Sequence, residues 1–474
     1  MNKKPKVSNI NEQDRISVLS DPILHHIMSF MDMKEVLKTS KLSTRWRSLW
    51  TSVPVLNFNI ALWKIDRVNR KLEEKEFESR FVKFVDRVLL QHCKDSNLQR
   101  FCVSCSHYCP RDLDFWIRIA VERRIQDIYI EHNGGSTRHN ILDFVFTSDI
   151  KNFKLRTAVH SLVTPSSMGL AYQLKSLELQ ESTIRLNAST GEVAISCPVL
   201  ENLKLSNCRY TSYTLRISTP KLKSLFIEQP TSKDYCPKTL ILSTQKLNSL
   251  VLKGTPFVKY IFPNIGSFVN ADIQSDEPIK PQALIELLKG LCNAESLKLS
   301  CQLQQSLDEV DWCLCSFMNL RRLKIFNFSD GSCIHMVHNL LANCPRLETL
   351  IVGIDQITNK EKDFTELFHC ISSLKYIEIQ GVECREIEME FFEFLLKTAS
   401  ALESFVVSTS NTFLRNTLEE RATFQMKIHT LPRASLRVKI LFQTIIKNNV
   451  VARSSKIDGP PRFRYPSQPT VAYL

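Results

Sequence analysis

From Leu174 onward the chain repeats one hydrophobic signature, L-x-x-L-x-L, with isoleucine, valine or phenylalanine as substitutes. The clearest copies read LKSLELQES from Leu174, LENLKLSNC from Leu200, LKSLFIEQP from Leu222 and LNSLVLKGT from Leu247. LRRLKIFNF from Leu320, LETLIVGID from Leu347 and LKYIEIQGV from Leu374 continue the series. The last part of each copy alternates apolar and polar positions, which predicts a short strand. Weaker copies centre on Phe101, Ile128, Phe153, Ala271, Leu297 and Phe405. The thirteen centres therefore run 101, 128, 153, 177, 203, 225, 250, 271, 297, 323, 350, 377 and 405, at steps of 21–28 residues. That is the period of leucine-rich repeats. A unit with one short strand cannot bury its own apolar face, so neighbours must stack and share a core. The predicted fold is an α/β solenoid, a curved irregular array whose parallel sheet lines a concave face suited to a large partner. Cys208 and Asn133 occupy the unit position where a buried Asn or Cys satisfies the turn backbone.

Other segments follow a helical period. FVKFVDRVLLQHC (81–93) sets Phe81, Phe84, Val85, Val88 and Leu89 on one face, a helix suited to capping the open end of the solenoid. Nearer the N-terminus, Leu24, Ile27, Met28 and Met31 form a stripe, with Asp21 as N-cap and Pro22 in the first turn. A second helix is predicted from near Met33 and a third from near Ser43. In TSKLSTRWRSLW (39–50), Leu42, Trp46, Leu49 and Trp50 fall at i, i+4, i+7 and i+8, while Lys41, Arg45 and Ser48 lie on other faces. That spacing favours packing over nucleic-acid reading. Three short helices in residues 14–50 cannot hide all these apolar groups internally, so some should meet a partner protein.

Composition changes this picture little, and charge changes it only at the ends. The 474 residues are 43% apolar, enough for substantial cores, and the net charge is +13. Residues 1–50 carry nine Lys/Arg against five Asp/Glu, and residues 431–474 carry eight against one. Only +2 remains across residues 51–430, which argues against a basic groove along the body. KKPK (3–6) fits a nuclear-targeting patch and equally a solvated basic tail. The start lacks the apolar core of a secretory leader, and no apolar run reaches the roughly 18 residues of a spanning helix. A protein of the nucleus or cytoplasm, not of the membrane, is expected. Its fifteen cysteines are then reduced, mostly buried thiols. DGPPRFRYPSQPTVAYL at the C-terminus has no periodicity and reads as a flexible tail.

The run DRISVLSDPILHHIMSFMDMKEVLKTSKLSTRWRSLW (14–50) closely resembles the F-box of plant F-box proteins. The matching elements are Asp14-Arg15-Ile16, Leu19, Leu24, Ile27, TSKLS (39–43), RWRSLW (45–50) and LNF (56–58). In that family the first helices dock on a Skp-type adaptor subunit of a cullin-based ubiquitin ligase. The resemblance carries this role to Leu19, Pro22, Ile23, Leu24, Ile27, Val36 and Leu42, and makes Trp46, Leu49 and Trp50 the residues that hold the third helix in place. The chain departs from the family at Leu19-Ser20, where Leu-Pro is usual, and carries Pro22 instead. A second resemblance covers SSLKYIEIQGVECREIEMEFFEFLLKTASALESFVVS (372–408) with LPRAS (431–435), which looks like the FBD segment that follows leucine-rich repeats in plant F-box proteins. It implies a strand, a helix with Phe391, Phe394 and Leu395 inward, and a further strand. The expected organisation is a basic tail (1–13), F-box (14–54), linker and capping helix (55–97), repeat array (98–365), FBD segment continuing the solenoid (366–445) and flexible tail (446–474).

Catalytic and metal chemistry find no support. CVSCSHYC (102–109) brings Cys102, Cys105, His107 and Cys109 close in sequence, yet Phe101, Val103 and Cys105 alternate inward while Cys102 points the other way. One strand cannot wrap four ligands around an ion without a turn between pairs. Cys313 and Cys315 have no second pair nearby. Phosphate-cradling glycine loops, H-E-x-x-H and G-x-S-x-G are absent, and His25 and His26 read as surface residues. No cofactor is implied. Two readings follow. One is a non-catalytic adaptor that recruits an unknown protein substrate to a ligase through a Skp-type subunit and its cullin. The other is a non-catalytic repeat scaffold, with or without associated nucleic acid, not linked to a ligase.

Overall fold

Every one of the thirteen predicted centres lies in a single register row. The computed structural model describes residues 15–16, 18–63, 73–94, 96, 98–105, 110–132, 145–157, 161–163, 171–185, 191–265, 269–303, 316–328, 337, 339–354, 372–383, 386–409 and 418–444. The strands, in chain order, begin with β1 (Val55–Asn59), β2 (Arg100–Cys105), β3 (Asp127–His132), β4 (Asn152–Thr157), β5 (Ser161–Val163), β6 (Ser176–Gln180) and β7 (Thr183–Arg185). Next come β8 (Val193–Ile195), β9 (Asn202–Ser206), β10 (Arg209–Tyr210), β11 (Thr214–Ser218), β12 (Ser224–Glu228), β13 (Thr239–Thr244), β14 (Ser249–Gly254) and β15 (Lys259–Ile265). The series closes with β16 (Asn270–Ile279), β17 (Ser296–Leu303), β18 (Arg322–Phe328), β19 (Thr349–Ile354), β20 (Tyr376–Val382), β21 (Ser404–Thr409) and β22 (Lys439–Thr444). Fifteen of them form one sheet in the order β1-β2-β3-β4-β6-β9-β12-β14-β16-β17-β18-β19-β20-β21-β22, and every neighbouring pair is parallel.

Parallel pairing that keeps the centre row in step is what a solenoid of one strand per turn requires, and the register shifts, after Ser275, Ile325 and Gln380, fall beyond that row. Phe101 pairs with Ile128, Ile128 with Phe153, and the row runs on through Leu177, Leu203, Leu225, Leu250, Ala271, Leu297, Leu323, Leu350 and Ile377 to Phe405. These side chains are buried, as are those two positions further along each strand, such as Leu179, Leu205, Ile227 and Leu252. A one-residue slip would turn both rows outward, so burial fixes the register. The turns before the strands repeat one device: a single carbonyl accepts two successive N–H groups of the next unit. Lys175 O serves Glu201 and Asn202 at 2.8 and 2.9 Å, and Glu201 O serves Lys223 and Ser224 at 2.8 and 3.0 Å.

The sheet outruns the predicted array at both ends. Leu56 of β1 pairs with Phe101, and Ile440 of β22 pairs with Phe405. Residues 55–59 are therefore the first strand of the sheet and not linker. Eight α-helices are seen among the described residues: α1 (Asp21–Met28), α2 (Met33–Thr39), α3 (Thr44–Leu49), α4 (Glu74–Gln91), α5 (Pro110–Glu122), α6 (Pro281–Gly290), α7 (Glu386–Thr398) and α8 (Leu418–Thr430). Helix α4 buries Phe77, Phe81, Val85, Val88 and Leu89 and leaves Phe84 partly buried. It is the crossover from β1 to β2 and packs on the edge strand β1, with the Phe84 ring 6.0 Å from that of Phe58, while α2 also lies against β1. Helix α7 buries Phe391, Phe394 and Leu395 between β20 and β21.

The middle of the solenoid is backed by strands instead of helices. β10-β7-β5 and β15-β13-β11-β8 form two small parallel sheets, with Leu215, Leu240 and Tyr260 in one buried row. Cys208 is fully buried, and its thiol donates to Leu179 O at 3.3 Å, the turn-backbone role expected of it. Asn133 lies outside the described residues.

Candidate functional site

The N-terminal helices build a small bundle with an inside and an outside. The chain is extended at Ser20, so Ser20 is the N-cap of α1, and Asp21, expected there, is instead its first helical residue. Pro22 sits in the first turn, where its missing N–H costs nothing. Leu24 and Met28 of α1, Met33 and Val36 of α2, and Trp46, Leu49 and Trp50 around α3 are buried together. Polar ties fix the angles between helices. Arg45 Nε donates to Asp21 at 2.9 Å and Arg45 Nη2 to Leu19 O at 2.6 Å. His25 Nε2 lies 3.1 Å from Leu49 O, so this histidine is part-buried framework and not the surface residue expected, whereas His26 is exposed.

The outside is apolar too. Ile23 is 48% exposed and Ile27 42%, one turn apart on α1. Ile16, Val18, Phe30 and Leu42 are also exposed. Of the residues assigned to adaptor docking, Pro22, Ile23, Ile27 and Leu42 are thus accessible and Leu19 is half-buried against the core. Leu24 and Val36 are not accessible: both are 0% exposed, buried in the core with Trp46 and Leu49, and they serve the fold. Leu42 does not share a helix face with Trp46, since Ser43 is extended and α3 begins only at Thr44. Ile16, Val18 and Phe30 were missed. Ile23, Ile27 and Phe30 follow i, i+4, i+7, a second apolar stripe beside the core stripe, and this was the available signal.

Asp32 locks the bundle to the solenoid. Its carboxylate accepts from Lys34 N, capping α2, and from Asn59 N at the end of β1, each at 2.8 Å. Burial pushes its pKa from 3.8 up to about 6 against the pull of those two N–H groups. The folded bundle therefore holds this proton more tightly than the unfolded chain does. The associated stabilisation is complete below pH 3.8 and is lost as pH rises through 6, a change of about 3 kcal/mol. Amide exchange over residues 33–39 and at Asn59, corrected for intrinsic rates, should be better protected at about pH 5 than at about pH 7. Asp32→Asn should flatten that dependence; an unchanged slope would place the titration elsewhere.

The second surface is the open face of the large sheet. Its outward positions between β4 and β18 hold Lys154, Arg156, Lys204, Lys253, Lys298, Arg322 and Lys324, against Glu178, Glu228, Asp272 and Asp276, and Arg156 pairs with Glu131 and Glu181, each at 3.1 Å. Glu178 lies between Lys154 (3.1 Å) and Lys204 (2.9 Å) on the flanking strands. Burial alone would raise its pKa, but the two ammonium groups hold it below the usual carboxylate range. Lys298 pairs with Asp272 at 3.0 Å. Lys204 and Lys253 lie over the Phe226 ring, 5.4 and 5.6 Å from its centroid, and Lys298 lies 5.6 Å from that of Phe326.

The described residues hold no group of three or more His, Cys, Asp or Glu arranged to bind a metal ion. Phe101, Val103 and Cys105 face inward and Cys102 is on the open face, where burial pushes its thiol up to about 12. His107, Cys109, Cys313 and Cys315 lie outside the described residues. No helix among the described residues is long and apolar enough to cross a membrane.

Comparison with known proteins matches two segments of the chain to two families. Residues 16–58 match the F-box domain, and residues 91–456 match the family described as At1g61320/AtMIF1, LRR domain. The F-box/FBD/LRR-repeat protein At5g22700 of Arabidopsis thaliana is 28% identical, over 84% of this chain and 92% of that protein. From the same plant, the F-box/LRR-repeat protein At4g14096 is 26% identical over 93% and 97% of the two chains. The F-box/FBD/LRR-repeat protein At1g13570 is 24% identical over 90% and 98%.

Proposed function

Since the chain belongs to the plant F-box proteins with leucine-rich repeats, we propose that it is the substrate-recognition subunit of a cullin-based ubiquitin ligase. F-box domains in general bind Skp-type adaptors. The observation that carries the reading here is the double-sided bundle: its core is complete without Ile23, Ile27, Phe30 and Leu42, which stay exposed. Large apolar side chains left outside a filled core stand ready for a partner. The adaptor covers them, a cullin joins through the adaptor, and the solenoid holds the target.

The mechanism is proximity. A target held beside a charged ubiquitin-conjugating enzyme meets it at high effective concentration, without chemistry from this chain. The test is co-expression of the full chain with a plant Skp-type adaptor and its cullin. A stoichiometric complex that captures the cullin only when the adaptor is present supports the proposal. A folded chain that binds no adaptor overturns it.

A further inference from the structure

Strand alternation sorts charge as well as hydrophobicity. Residues 51–430 carry a net charge of only +2, yet the open face from β4 to β18 displays seven cationic side chains against four carboxylates. The surplus is ordered. Lys154, Lys204, Lys253 and Lys298 stand on β4, β9, β14 and β17, each two strands from the last, with Glu178, Phe226 and Asp272 on the strands between. Strands in a sheet lie about 4.8 Å apart, so these cations recur at about 10 Å across the strands, with Lys253 two residues further along its strand, in the row of Glu228, and Val251 in the row of the other three. An extended peptide covers that distance in about three residues. Lys253 has no carboxylate within ion-pair distance among the described residues; its ammonium rests on Phe226.

We infer that this face, centred on Phe226 between Lys204 and Lys253, binds an extended acidic segment of the recruited target, crossing the strands with carboxylates about three residues apart. The inference rests on the recruiting role proposed above. Charge complementarity selects the occupant. A nucleic acid carries unbroken negative charge and would have to pass over Glu178 and Asp272, whereas a protein segment can set neutral or basic residues there. Phe226 adds an apolar, cation-flanked platform that a peptide side chain can cover.

The test uses the full chain in complex with its adaptor and a fluorescent peptide of about twelve residues with Glu at every third position and Ser and Gly between. Its counterpart carries Gln for Glu. The Glu peptide should bind at least about tenfold tighter than the Gln peptide, and added salt should erase the difference. Lys253→Glu, which breaks no ion pair among the described residues, should remove the preference, and Phe226→Ala should weaken binding of the Glu peptide. Melting temperature and adaptor binding should not change in either variant. Equal binding of the two peptides, or a Lys253→Glu chain that binds like wild type, overturns the inference. So does a single-stranded RNA of matching length that binds more tightly and loses affinity in the same variant. Lost adaptor binding with the peptide preference intact would count against the ligase role and leave this surface standing.

Discussion

Replacing Ile23 and Ile27 together by aspartate should abolish the proposed adaptor binding and leave the chain folded. Both side chains are about half exposed, so the free protein loses little packing. In the complex they would be covered. Each burial is worth up to about 1.5–3 kcal/mol, and each aspartate leaves an unpaired charge in an apolar contact at a further cost of several kcal/mol. A thousandfold loss of affinity needs only about 4 kcal/mol, so the double variant should fall below detection. Leu24→Asp supplies the contrast. Leu24 is fully buried, so a charge there should melt the bundle, and adaptor binding would vanish with it. Calorimetric titration with the adaptor, read beside amide exchange of residues 21–50, separates the two cases. If the Ile23/Ile27 variant binds normally, docking does not use the outer stripe of α1.

That contrast marks where the sequence could and could not be read. The stripe Leu24, Ile27, Met28 and Met31 was legible as helix, but α1 is apolar around more than one face. Periodicity identifies a face; it cannot say which of two adjacent faces meets the bundle core and which meets a partner. Leu24 and Ile27 were therefore grouped although they point to different places. Ser20 and Ser43 are the extended residues that set the helix starts; the start near Ser43 was legible, whereas at α1 Asp21, next to Pro22, offered the stronger capping side chain and drew the expected start one residue too far along.

The large sheet was legible for the opposite reason. One residue class, recurring at 21–28 residues, must occupy one buried row, and all thirteen centres do. β1 was hidden because LNF (56–58) also fits the end of the F-box pattern. The backing strands β8, β11, β13 and β15 were hidden because short apolar runs such as TLRIS and TLILST fit strand or loop equally until the neighbouring turn is known to pair with them. Counting charge along the chain missed the basic face altogether, because the count ignores which side of a strand each residue occupies.

Glycine placement yields the other large expected effect, in stability. Gly254 ends β14 with φ +85°, and a Cβ built there would lie 2.4 Å from the main-chain oxygen of Gln229. The neighbouring backbone cannot withdraw freely, because Gln229 N donates to Lys253 O at 2.9 Å and holds the two turns together. Gly254→Ala therefore combines a left-handed conformation, about 1–2 kcal/mol for a residue with a Cβ, with a clash against backbone, and should cost at least about 3 kcal/mol. Gly191 isolates the first of these: its φ is +68°, but among the described residues nothing lies within 4 Å of the added Cβ. Gly191→Ala should cost only about 1 kcal/mol. Gly381 repeats the Gly254 situation in β20, with φ +80° and Ile354 O at 2.2 Å, so Gly381→Ala should behave like Gly254→Ala. In a solenoid each turn leans on its neighbours, so exchange protection should fall first in β12, β14 and β16 for Gly254→Ala and in β19, β20 and β21 for Gly381→Ala. Urea midpoints that placed all three variants together would show that a small backbone shift relieves the clash. Separation of Gly191→Ala from the other two would establish that close approach between turns, and not φ alone, reserves these positions for glycine.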